Sequence, residues 1–80
     1  MPVVLIRESR GVERTRPLDR DIVVFGRSPD CTLILEGRGV SRLHGRFVRD
    51  PFGRWWVEDL GAKNGIFVEG RPVSRHRLAD

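Results

Sequence analysis

Three groups of residues in this chain have side chains able to do chemistry. Ser41, His44 and Asp59 are the residue types of a nucleophilic triad. A triad is defined by geometry, however, and Ser41 and His44, three apart across a loop–strand junction, are expected to point apart. No Gly-x-Ser-x-Gly elbow accompanies them, so hydrolysis is set aside. Cys31, His44 and His76 with scattered carboxylates offer metal-ligand types, but none stands at zinc spacing. Neither a metal nor a cofactor is expected, and the chain is not read as an enzyme. The third group is cationic: of fifteen basic residues only Lys63 is lysine and the rest are arginine. A guanidinium never loses its charge and presents a planar fork of donors, which suits phosphate. Codon bias alone explains most of the fourteen, so position has to decide which arginines matter.

The elements that would hold these residues are short strands. No segment shows helical periodicity, and apolar stretches alternate with turn residues every eight to twelve positions, the pattern of an all-β sandwich or barrel. Strands are expected at Val3–Arg7, Glu13–Thr15, Ile22–Phe25, Thr32–Leu35, His44–Arg49, Arg54–Glu58, Ile66–Val68 and Pro72–Val73, with a turn near Arg10–Gly11. Pro51-Phe52-Gly53 should close a hairpin. Its alternation puts Trp55 and Val57 on one face, so Trp55 enters the core and Trp56 lies on the opposite surface. Three loops rich in small and polar residues remain, Gly26–Cys31, Glu36–Leu43 and Leu60–Gly65. Loops carried by a rigid scaffold are where binding residues sit.

Composition narrows the class. Eighty residues make a single domain that buries only about 60% of the surface its unfolded chain exposes. That interior is thin for both a core and a deep catalytic pocket, so binding is expected rather than catalysis. The longest aliphatic run, Val3 to Ile6, is too short for a membrane span or a secretory signal. One cysteine, Cys31, permits no internal disulfide, and a cytoplasmic, reducing setting is the simple reading. The net charge of +4 and a pI of about 10.9 raise nucleic-acid binding as an alternative, with Trp56 among arginines as a stacking platform. The excess is spread thinly, seven basic against six acidic residues in 1–40 and eight against five in 41–80, which makes nucleic acid the lesser reading.

Taken singly, Arg27 is a surface arginine, Ser41 a turn hydroxyl and Asn64–Gly65 a common hairpin turn. Taken in order, Gly26–Arg27, the Ser-x-x-His of Ser41 to His44, and Asp59-Leu60-Gly61-Ala62-Lys63-Asn64-Gly65 followed by Val68-Glu69-Gly70 resemble the forkhead-associated (FHA) domain family. The resemblance covers about residues 3 to 80. It implies a twisted β-sandwich of two antiparallel or mixed sheets that reads phosphothreonine peptides through loops at one end. The partner would be a threonine-phosphorylated protein in a Ser/Thr-kinase pathway, and the domain an adaptor or regulatory module.

By resemblance, Arg27 supplies the cation, Ser41 its hydroxyl and Arg42 its backbone N–H to the phosphate, and Asn64 holds the peptide main chain. Phosphothreonine brings about −1.5 to −2 charges and three acceptor oxygens, which such donors match. Lys63 departs from the family, many of whose members have a hydroxyl residue there; a flexible charge would replace that contact. Gly26, His44, Asp59, Gly65 and Gly70 are expected to be structural, His44 bracing the loop of Ser41 and Asp59 accepting backbone N–H groups. Arg38, Gly39, Val40 and Ala62 are candidates for reading residues after the phosphothreonine. Family members continue past Leu-x-Asp with two further strands, the last pairing with the first. The expectation for this chain is therefore an open edge at Val3–Ile6 and self-association through it.

Overall fold

A computed structural model describes residues 3–7 and 13–78 as nine strands, with no helix among the described residues. They are β1 (Val3–Arg7), β2 (Glu13–Pro17), β3 (Ile22–Gly26), β4 (Leu33–Ile34), β5 (Gly45–Arg49), β6 (Trp55–Asp59), β7 (Ile66–Val68), β8 (Arg71–Val73) and β9 (Arg75–Arg77). The turn expected near Arg10–Gly11 lies outside the described residues. No described helix is long and apolar enough to cross a membrane.

One layer is a five-stranded sheet in the order β4-β3-β5-β6-β9, all antiparallel except the β3–β4 pair. The opposing layer is split into two ribbons, β1–β2 and β7–β8. Both ribbons pack on the same interior. Val4 and Ile6 from β1 and Ile66 from β7 lie against buried Leu18, Val23, Phe25, Leu33 and Val57, joined by Leu35, Phe47, Trp55 and Leu78. Each fully buried aliphatic or aromatic side chain contributes about 1.5–3 kcal/mol. Along its outer edge β1 has no strand partner among the described residues, and Val3 and Leu5 are exposed.

The β5–β6 register pairs Phe47 with Val57 and Val48 with Trp56. Trp55 accordingly packs on the core and Trp56 on the outer face, as the alternation predicts. The Arg75 guanidinium lies 3.8 Å from the Trp56 ring centroid, and the indole N–H donates to Asp50 Oδ2 at 2.9 Å. One face of this ring is therefore covered by the protein's own cation, which corrects the picture of a free base-stacking platform. Asp50 also accepts the amides of Phe52 and Arg54 on Oδ1, both at 2.9 Å, and so builds the hairpin tip. The Trp56 indole is the largest influence on the Asp50 carboxyl and burial, which opposes it, the next; with the Arg54 and Phe52 amides and the Arg54 charge, the indole holds the carboxyl below the ordinary carboxylate range.

Most strand boundaries differ from expectation by a residue or two, as at β2, which runs on from Thr15 to Pro17, and one strand is new. The fourth strand shrinks from Thr32–Leu35 to Leu33–Ile34, and its short parallel ladder closes with the Leu35 amide on the Gly26 carbonyl at 2.7 Å. β9 has no counterpart among the expected strands. Its Arg-His-Arg reads as a solvated run, but its ladder to β6 and an Arg75–Glu58 ion pair of 3.1 Å hold it in the sheet.

The β7–β8 turn places Glu69 at φ 50° and Gly70 at φ 79°. Both central residues of this two-residue hairpin are left-handed, the geometry of a type I′ turn. Glycine adopts it freely, whereas glutamate is strained. Glu69→Asn should raise stability by about 1 kcal/mol, roughly 4–8 °C in melting temperature, because asparagine tolerates the left-handed region. An unchanged thermal midpoint would show that the turn is not under strain.

Candidate functional site

The strands β3, β5 and β6 each deliver a loop to one end of the five-stranded sheet, and backbone hydrogen bonds join these loops before any side chain acts. The Arg27 amide donates to the Ser41 carbonyl (3.0 Å), Ser28 to Arg42 (3.1 Å), and His44 to Phe25 (3.0 Å). This zipper is possible because residue 26 is glycine: a Cβ there would stand 2.2 Å from the Arg42 carbonyl oxygen. The third loop is tied in by the Leu60 amide, which donates to the His44 carbonyl at 3.1 Å.

Side chains then fix the loops against one another. His44 is the pivot. The Ser41 amide donates to its Nδ1 at 3.1 Å, so Nδ1 is unprotonated; Nε2 carries the proton and donates to the Gly65 carbonyl at 2.8 Å. Ser41 Oγ accepts the Lys63 amide at 3.0 Å, and Asn64 Nδ2 donates to the Gly39 carbonyl at 3.0 Å. Asp59 Oδ1 accepts the amides of Gly61 (3.1 Å) and Ala62 (2.8 Å) and shapes the start of the third loop. Gly65 closes it at φ 72°, with its amide on the Ala62 carbonyl at 3.2 Å.

This arrangement decides between the chemistries the residue types allow. Both imidazole nitrogens of His44 are committed to main-chain groups, and one Asp59 oxygen holds two amides. Ser41, His44 and Asp59 form a loop scaffold and not a relay. Among the described residues no group of histidine, cysteine and carboxylate side chains is placed to hold a metal ion.

Arg27, Arg38, Arg42 and Lys63 are exposed, and among the described residues their side chains have no ion-pair partner. On the five-stranded sheet, Arg46 and Arg75 share Glu58, and Arg49 pairs with Asp21. The three loops thus present four exposed cations without an ion-pair partner among the described residues, beside a serine and an asparagine. The chemistry available to such a surface is recognition of an anion with an attached polar chain.

Of the expected site residues, the structure joins Ser41 to Lys63 and Asn64 to Gly39, and places Arg27 and Arg42 on either flank of Ser41. Arg38 adjoins the Asn64–Gly39 bond without a side-chain contact. Val40 is half-buried, its amide on the Gly37 carbonyl at 3.3 Å, and Ala62 uses both main-chain groups inside its own loop. Gly70 stands apart from the site in the β7–β8 turn.

Three supporting residues were not legible as such. Ser28 and Cys31 are buried beneath the second loop, and Cys31 Sγ donates to the Arg42 carbonyl at 3.3 Å. Gly45 leaves space for Phe25 and Ile66, whose side-chain atoms would lie 2.6 and 2.7 Å from a Cβ. Nothing in residue type or spacing marks these roles, since each depends on a contact between segments distant in sequence.

Comparison with known proteins agrees with this geometry. The FHA domain family matches residues 23–80. The glycogen accumulation regulator GarA of Mycolicibacterium smegmatis is 38% identical over 63 residues, which are 79% of this chain and 39% of that protein. The chain thus spans well under half the length of the curated relatives it matches. EmbR of Mycobacterium tuberculosis, solved in complex with a low affinity phosphopeptide, superposes with a TM-score of 0.81 at 29% identity, over 98% of this chain and 20% of that one. A structure from an analysis of phosphothreonine-dependent FHA domain interactions gives a TM-score of 0.80 at 32% identity, covering 98% of this chain and 77% of that chain. Sequence and fold therefore lead to one conclusion: this chain belongs to the forkhead-associated domain family.

Proposed function

We propose that the three loops bind threonine-phosphorylated peptides, and that the chain acts as a non-catalytic adaptor or regulatory module downstream of a Ser/Thr kinase. The observation that carries this reading is the set of exposed cations without ion-pair partners on the three loops, beside a hydroxyl already held by the third loop. Ser41 Oγ accepts the Lys63 amide, which leaves its single proton free to donate outward to a phosphate oxygen. Arg27 and the Arg42 amide flank it as further donors, and the Lys63 ammonium adds a flexible charge. Asn64 spends one amide hydrogen on Gly39, which leaves the second hydrogen and Oδ1 for an extended peptide backbone. Gly39 is pinned by that bond, and Arg38 beside it would favour an acidic residue near the phosphothreonine. Gly39, Val40 and Ala62 would complete the surface read by the flanking residues.

The test is a titration of one peptide in three forms, with phosphothreonine, threonine and glutamate at the central position, and in parallel of mixed-sequence DNA. Only the phosphothreonine form should bind, because a flat carboxylate lacks the second charge and the third oxygen. Equal affinity for the glutamate or unphosphorylated peptide would overturn the reading. So would binding to DNA with a steep salt dependence and no gain from phosphopeptide.

A further inference from the structure

The second loop turns two consecutive carbonyls inward. Ser41 C=O receives the Arg27 amide at 3.0 Å, and Arg42 C=O receives the Ser28 amide at 3.1 Å and the Cys31 thiol at 3.3 Å. The peptide groups here are trans, and in a planar trans peptide the N–H points opposite to the C=O. The N–H that shares a peptide plane with Ser41 C=O is that of Arg42, and the one sharing a plane with Arg42 C=O is that of Leu43. Both therefore point away from the first loop, and neither has a partner among the described residues. The amides on either side are spent, Ser41 on His44 Nδ1 and His44 on the Phe25 carbonyl. Two adjacent free N–H groups directed the same way form a concave donor pair suited to an oxygen anion.

Resting on the phosphopeptide reading above, we propose that Leu43 contributes a backbone donor to the phosphate, paired with the Arg42 amide, and that Cys31 is a positioning residue for this pair. The side chain of Leu43 plays no part in this donation and is half exposed, at 53%. Cys31 is buried at 7% exposure and holds the Arg42 carbonyl that aims the Leu43 amide. The missing Cβ of Gly26 gives that carbonyl its space. The seat is thus made by the packing of the first loop under the second, and its donors are main-chain groups that residue type does not reveal.

The experiment uses the full chain labelled with 15N and the tightest phosphothreonine peptide from a degenerate library. Saturable, phosphate-dependent binding is established first by calorimetry; failure there overturns the phosphopeptide reading and this inference with it. In the bound state, scalar coupling between 15N and 31P across the hydrogen bond is expected at both Arg42 and Leu43. Coupling at Arg42 without Leu43, in a complex that binds, overturns the inference and leaves the reading intact. Replacement of the Leu43 amide by an ester, in a chemically synthesised chain, removes the donor and keeps the side chain. It should weaken binding about 10- to 100-fold, as loss of a hydrogen bond to a charged group does; unchanged affinity overturns the proposal. Cys31→Ala should weaken binding about 3- to 10-fold and Cys31→Ser should restore it, because the hydroxyl replaces the thiol as donor. Equal affinity of the two variants would remove Cys31 from the positioning role.

Discussion

Arg27→Ala is expected to abolish measurable phosphopeptide binding while the melting temperature stays within about 1–2 °C of the parent, as substitutions of exposed residues without structural contacts generally do. Arg27 is exposed, and among the described residues its guanidinium makes no hydrogen bond or ion pair, so the fold loses nothing with the side chain. What the site loses is its fixed charge. A charge-assisted contact to phosphate is worth about 1.5–3 kcal/mol per hydrogen bond, and a bidentate guanidinium makes two, so the affinity should fall by at least about 100-fold. Arg27→Lys should recover only a part, since an ammonium keeps the charge but not the fork. Ser41→Ala should cost similar affinity with an added structural effect. Its Oγ accepts the Lys63 amide, and the alanine removes one of the hydrogen bonds that tie the third loop to the second. Calorimetry with thermal melts and amide NMR spectra separates the two variants: Arg27→Ala changes binding alone, and Ser41→Ala also broadens the Lys63 and Asn64 amide signals. Wild-type affinity in Arg27→Ala would place the phosphate elsewhere.

The contrast between those two residues shows how far the sequence could be read. Arg27, Ser41 and Asn64 stand out by order and spacing, and His44 and Asp59 belong to the same motifs, where the one takes the Ser41 amide and the other two amides of its own loop. These are signals within or between marked motifs. The strands announced themselves for a similar reason: Ile22 to Phe25 and the Trp55–Val57 alternation are local patterns, and burial follows them. Local patterns did not reveal what depends on a distant partner. β9 is an Arg-His-Arg segment that becomes a strand only because β6 offers Glu58 and an open edge. Trp56 looked free for stacking because Arg75, nineteen positions away, covers it only in the folded sheet. The division of the second layer into two ribbons likewise depends on long-range pairing that residue types do not encode.

Gly26→Ala should be the most damaging single methyl added to this chain. Gly26 is absent from the residues with left-handed φ, unlike Gly65 and Gly70, so conformation does not require a glycine there. Space does. The added Cβ would stand 2.2 Å from the Arg42 carbonyl oxygen, 2.9 Å from its carbon and 3.0 Å from the His44 nitrogen. All three are main-chain atoms that no rotamer change can move. Relief requires the second loop to move off the first, which breaks the Arg27–Ser41, Ser28–Arg42 and His44–Phe25 hydrogen bonds together. Overpacking of this kind costs about 1–3 kcal/mol, and the lost hydrogen bonds add about 0.5–1.5 kcal/mol each. A domain of this size has only about 4–12 kcal/mol in total. The expected result is a fall of at least about 10 °C in melting temperature, with phosphopeptide affinity reduced even where the variant is still folded, because Ser41 and the adjacent amides ride on the displaced loop. The reciprocal arrangement distinguishes this effect from that of Arg27→Ala, which should spare stability. A Gly26→Ala protein that melts with the parent and binds phosphopeptide normally would mean that the two loops do not make the close backbone contact on which the site is built.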